Sequence, residues 1–83
     1  MRHFFDLDEA VGSIYGDVEW GPDHWENVRR DGHWVTELTW WPDEEGGKDS
    51  HDYIDYDGWD EWALGHGYKG VVKIVKDGIF VYD

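Results

Sequence analysis

The chain has 83 residues, with 20 Asp and Glu against 7 Lys and Arg, a formal charge of −13 and no cysteine. That length allows one domain, residues 1–83, with a thin core; the missing cysteine excludes disulfides and thiolate zinc sites; and the charge excludes unaided binding to DNA, RNA or an anionic membrane, each of which needs a basic patch. Seven Trp, five Tyr and three Phe set it apart from disordered acidic chains, which are poor in aromatics, and predict a core made of a few large pieces.

In chain order, Phe4, Leu7, Val11 and Ile14 recur at helical spacing, with Asp6 as N-cap and Glu9 three residues on. This predicts a helix over about residues 6–15, ending near Gly16. Asp31-Gly32 and Asp77-Gly78 each lie between β-favouring residues, the strongest short hairpin signal. The first joins a strand that follows Pro22, where a helix with Pro22 at its first position is the alternative, to a strand His33 to Trp41, with Trp34, Leu38 and Trp40 on one face. Pro42 ends that strand because it cannot continue a central ladder. The second hairpin is expected to pair Lys76 with Ile79, Ile74 with Val81 and Val72 with Asp83, putting Val72, Ile74, Ile79 and Val81 on the core face. Between the hairpins, the segment from Pro42 to Ser50 reads as a solvated loop. A helix capped by Ser50 or Asp57 then runs to Leu64 and stops at Gly65, with Tyr56, Trp59 and Ala63 on one stripe. The fold class is α+β: a three- or four-stranded antiparallel sheet with one or two short helices, the alternative being an all-β meander.

No run approaches the ~18 apolar residues of a membrane span, and the N-terminal residues lack the apolar core of a signal peptide, so the expected location is cytoplasmic. The acids around Gly58 do not make a calcium loop. With Gly58 at its sixth position, Tyr53 and Leu64 fall where ligands are required. The five His lack the helical i, i+4 spacing of a zinc-binding face, and neither a metal nor a cofactor is expected. Carboxylate pairs such as Asp6 with Asp8 match the residue types of glycosidase acids, but those enzymes need a cleft that a thin core rarely walls. No cysteine nucleophile or Gly-rich phosphate loop is present, and no enzymatic activity is expected.

Residues 43–68 carry nine acids and one base, interleaved with aromatics. Asp43, Glu44, Glu45, Asp52, Tyr53, Asp55, Tyr56, Asp57, Asp60, Glu61 and Trp62 are therefore the candidate partner-binding residues. The next candidate is the stretch from Asp6 to Glu19. Duplex DNA carries one charge per ~1.7 Å, so the net charge corresponds to roughly 22 Å of duplex. In size and charge, and in no specific motif, the chain resembles phage anti-CRISPR and anti-restriction inhibitors and the immunity proteins of nuclease toxins. The resemblance implies a DNA-mimicking inhibitor bound to a basic nucleic-acid-binding protein: a CRISPR effector, a restriction enzyme or a nuclease toxin. The competing reading is a carbohydrate-binding module that stacks Trp and Tyr on sugar rings.

Overall fold

A computed structural model describes residues 1–15 and 21–83. Eight elements follow in order: β1 (Arg2–Asp6), α1 (Leu7–Tyr15), β2 (His24–Arg30), β3 (His33–Trp40), β4 (Ser50–Ile54), α2 (Tyr56–Gly65), β5 (Gly70–Val75) and β6 (Gly78–Tyr82). The fold is α+β with two short helices and antiparallel strands. The strands form two three-stranded sheets, β1-β6-β5 and β2-β3-β4, rather than one.

The additional strands are β1 and β4: on sequence alone Phe4 counts in the stripe of the first helix, and residues 50–54 belong to the second helix if Ser50 caps it. Phe4 belongs to β1 and not to the stripe of α1, since pairing with β6 places Phe4 opposite Phe80 on one face and Phe5 opposite Ile79 on the other. The helix begins after it. Asp6 is the cap as expected, its carboxylate accepting the Glu9 N–H at 2.8 Å. The expected end near Gly16 lies outside the described residues. At β4, pairing with β3 takes residues 50–54 into the sheet, so the cap of α2 is Asp55 rather than Ser50 or Asp57. Its carboxylate accepts the Gly58 N–H at 3.1 Å.

The two Asp-Gly pairs serve different ends. Asp31 (φ 50°) and Gly32 (φ 84°) are the two loop residues between the paired Arg30 and His33, the positive-φ geometry that favours this dipeptide. In the second hairpin Val75 pairs with Gly78, so the loop is Lys76-Asp77 and not Asp77-Gly78. Gly78 is needed inside the strand, because a Cβ there would lie 2.3 Å from the Phe5 carbonyl oxygen and 2.5 Å from the Phe4 ring. The loop is fixed from outside by the Leu7 N–H on the Asp77 carbonyl, at 3.0 Å. The strand has slipped by two residues from the expected pairing, with Ile74 opposite Ile79. An even slip preserves the face, so Ile74, Ile79 and Val81 are buried. Val72, expected beside them, falls in a bulge between Val71 and Lys73 and is half-buried.

One core joins both sheets and both helices: Ala10 and Val11 of α1, Leu38 of β3, Trp59, Trp62 and Ala63 of α2, and Ile74, Ile79 and Val81. Trp34 and Trp40 pack against its margin, half-buried. Its centre is polar. The Trp59 indole N–H donates to Thr36 Oγ1 at 2.9 Å, and Thr36 donates to Asn27 Oδ1. Asn27 Nδ2 then donates to the carbonyls of Val75 (2.7 Å) and Gly78 (3.4 Å). These bonds tie α2, β3 and β2 to the β5–β6 turn, and among the described residues no buried side-chain polar atom lacks a partner.

Thr36→Val preserves shape but strands both the Trp59 N–H and Asn27 Oδ1, a loss of about 1–3 kcal/mol for each stranded group; Thr36→Ser should lose less, as read by urea unfolding. Gly32→Ala should cost about 1–2 kcal/mol through its left-handed backbone. Gly78→Ala should cost more than that, because the contact it makes is with backbone rather than with a movable side chain.

Candidate functional site

The acidic segment splits into residues that hold the fold and residues that face solvent. Asp55 caps α2. Asp60, on the next turn, accepts the Val71 N–H at 2.6 Å and so fastens α2 to β5. Asp52 accepts the Tyr53 N–H at 2.8 Å. Trp62 does not belong to a contact surface: it is 9% exposed, packs edge-on against Trp59 and Phe5 at 5.2 Å, and donates its indole N–H to Ser13 Oγ at 2.6 Å. Its position one turn of helix from Trp59 and beside Ala63 places it on the apolar stripe, which Asp60 and Glu61 just before it in sequence conceal. Tyr56 is half-buried against the same core.

Solvent-facing carboxylates without such a duty remain at Asp43, Glu44, Glu45, Asp49, Asp57 and Glu61. Asp57 and Glu61 are four apart on α2 and share one helical face. Asp43, Glu44 and Glu45 sit on the β3–β4 connection, which is a built turn. Gly47 N–H donates to the Glu44 carbonyl at 3.2 Å, and the Gly47 Cα packs so closely on Pro42 that a Cβ would come within 2.6 Å of the proline ring. At its root, Asp23 accepts the Trp41 N–H at 2.7 Å and donates its own N–H to the Thr39 carbonyl at 2.9 Å. The acids of this turn are thus presented by an ordered backbone. The alternative stretch from Asp6 to Glu19 runs into residues outside the described set. Within it, Asp6 is committed to capping α1 and Asp8 to the Trp25 indole N–H, at 2.8 Å.

The cations do not neutralise this surface. Among the described residues no Lys or Arg side chain pairs with a carboxylate; the two ion contacts are the N-terminal ammonium with Asp83 at 3.9 Å and His24 with Glu26 at 3.8 Å. Three cations lie over aromatic rings instead: Arg29 over Trp34 (5.4 Å), Arg30 over Tyr53 (4.1 Å) and Lys73 over Phe80 (4.9 Å). Arg30 reaches Tyr53 across β3. Glu37, which sequence reading passed over, joins them through its register position opposite Tyr53. A hydrogen bond from the Tyr53 phenol to Glu37 raises its pKa above the ordinary phenol value, burial and the Glu37 charge adding to this and Arg30 opposing it. Tyr15 is raised too, by burial and then by the Asp52 charge.

Among the described residues no three His, Asp or Glu side chains converge as a metal site would require, and no helix is long and apolar enough to cross a membrane. No protein-family model, curated protein or solved structure matches this chain.

Asp55→Ala should destabilise by about 1 kcal/mol through the lost cap, and Asp60→Ala should also destabilise by leaving the Val71 N–H unpaired. Asp57→Asn and Glu61→Gln should leave the melting temperature unchanged or slightly raised. The phenols give a pH dependence. A phenol whose folded pKa is raised holds its proton in the native state when the unfolded chain has lost it, so its contribution is complete below pH ~10 and falls away above it. Tyr53→Phe should flatten that alkaline loss, as read from melting temperatures between pH ~9 and ~11.

Proposed function

We propose that this protein is a non-enzymatic cytoplasmic inhibitor that occupies the basic site of a nucleic-acid-handling protein, its carboxylates standing in for phosphates. The observation that carries the reading is the separation of cations from carboxylates. A surface that merely needed solubility is served by interspersed charges of both signs, whereas here, among the described residues, no Lys or Arg pairs with a carboxylate, and three of the seven, Arg29, Arg30 and Lys73, are laid on aromatic rings. Such a field steers association with a basic groove and weakens as salt rises.

The contact surface we assign is narrower than the acidic segment. It comprises Asp43, Glu44 and Glu45 on the β3–β4 turn, Asp57 and Glu61 on α2, and the exposed rings of Trp41 (57%) and Tyr53 (40%). The rings are the candidate anchors and the carboxylates supply the steering. Arg30 on one face of Tyr53 leaves little room there for the flat stacking on which a sugar-binding reading depends.

Immobilised protein should retain, from a bacterial lysate, proteins that free duplex DNA and rising salt both release. Neutralising Asp43, Glu44, Glu45, Asp57 and Glu61 together to Asn or Gln should slow association several-fold at low salt with little change in melting temperature. Binding to a glycan array, with no retained protein that DNA displaces, would replace this reading with the carbohydrate one.

A further inference from the structure

The edge of the β1-β6-β5 sheet at β1 carries a pattern complementary to itself. The Asp83 N–H donates to the Met1 carbonyl at 3.1 Å and the Leu7 N–H to the Asp77 carbonyl at 3.0 Å, bracketing a register in which Arg2 faces Tyr82 and Asp6 faces Gly78. The odd-numbered residues of β1 therefore exchange hydrogen bonds with β6. Because an antiparallel ladder alternates, the N–H and C=O groups of Arg2 and Phe4 and the N–H of Asp6 point away from it. Among the described residues no strand pairs with that edge.

Two of the other three outer edges, β5 and β4, are less open to such pairing. On β5 the Val71 N–H is taken by Asp60 and a bulge interrupts the strand. A second copy of β4 centred on its middle residue would bring Asp52 against Asp52. β1 has neither a bulge nor a proline, devices that commonly blunt an edge.

The side chains on the outer face of β1 are Arg2, Phe4 and Asp6, all exposed: a cation, an aromatic ring and an anion at alternate positions. A two-fold axis through Phe4 brings Phe4 beside its own copy and sets each Arg2 opposite the Asp6 of the other chain. It also aligns the outward backbone groups, since the N–H and C=O of Phe4 meet those of its copy and the C=O of Arg2 meets the N–H of Asp6. Asp6 caps α1 through Oδ1, which leaves Oδ2 for the guanidinium. Phe4 and Tyr82, 45% and 47% exposed, extend the apolar strip across the face.

We infer that β1 pairs with β1 of a second copy about a two-fold axis at Phe4, forming a continuous six-stranded antiparallel sheet. Such an interface is isologous and closes at two chains. Two chains of charge −13 repel each other at long range, so this contact should tighten as salt rises. The Debye length falls from about 10 Å at 0.1 M to about 3 Å at 1 M.

Sedimentation of the full chain over a concentration series, at low and high salt, should show a species of twice 9.8 kDa that is favoured by high salt. Amide exchange at Phe4 and Asp6 should slow as protein concentration rises. Arg2→Glu replaces two opposite-charge pairs with two like-charge pairs and should weaken the dimer by about tenfold, while melting of the dilute protein stays unchanged. A chain monomeric at every concentration and both salts overturns the inference. So does a dimer that ignores Arg2→Glu, or one in which the Phe4 amide still exchanges freely, either of which places the contact on another surface.

Discussion

The hydrogen-bond chain from Trp59 through Thr36 to Asn27 is the constraint on which the two sheets depend. The β2-β3-β4 sheet and the β1-β6-β5 sheet share no strand, so their relative placement rests on what lies between them. Apolar packing of Leu38, Trp59 and Ile79 brings them together but is tolerant of sliding. The polar chain is not, because each donor has one acceptor at one distance. Asn27 is a β2 side chain whose two amide hydrogens go to two carbonyls flanking a turn of the other sheet. A displacement of either sheet strands several buried groups at once, which makes these bonds a source of specificity more than of net stability.

The same contacts explain how far the fold could be read from sequence. Where local chemistry decides, the reading held: Asp6 caps α1, Asp31-Gly32 turns a hairpin, Pro42 lies just past the end of β3, and α2 ends at Gly65. Where partners distant in sequence decide, it did not. Nothing near Gly78 shows that the glycine will be wanted under Phe4 and against the Phe5 carbonyl, so the turn was placed one residue late. β1 and β4, five residues each, are too short for a period to declare itself, and each abuts a helix whose cap and spacing absorbed it. In the candidate site, exposure could be read for Asp57, Glu61 and the residues at 43–45. The structural duties of Asp55 and Asp60 became visible only once β4 and β5 were in place. The acids that precede Trp62 suggest solvent, although its spacing from Trp59 points inward.

The charge and the aromatic content act together. Ring faces stand at the margin of the core, as at Trp34, and on the outward faces of the sheets, as at Tyr53 and Phe80. These take up Arg29, Arg30 and Lys73, whose stems also cover apolar surface. Each cation placed in this way is one fewer to offset a carboxylate. The local placement of these charges is thus partly a product of where the aromatic rings lie.

The middle strand of the β1-β6-β5 sheet is the last element of the chain, while β1, its neighbour, is the first. The β2–β3 hairpin joins residues close in sequence, whereas β1 has to await β6, more than seventy residues further on. Until β6 arrives, Ile79 and Val81 are missing from beneath the helices and the indoles of Trp59 and Trp62 stand uncovered. Topology with such distant pairing slows folding and lengthens the interval in which a nascent chain can stick to its neighbours. The acids already translated in that interval, up to those of α2, give such chains a like charge that opposes the contact.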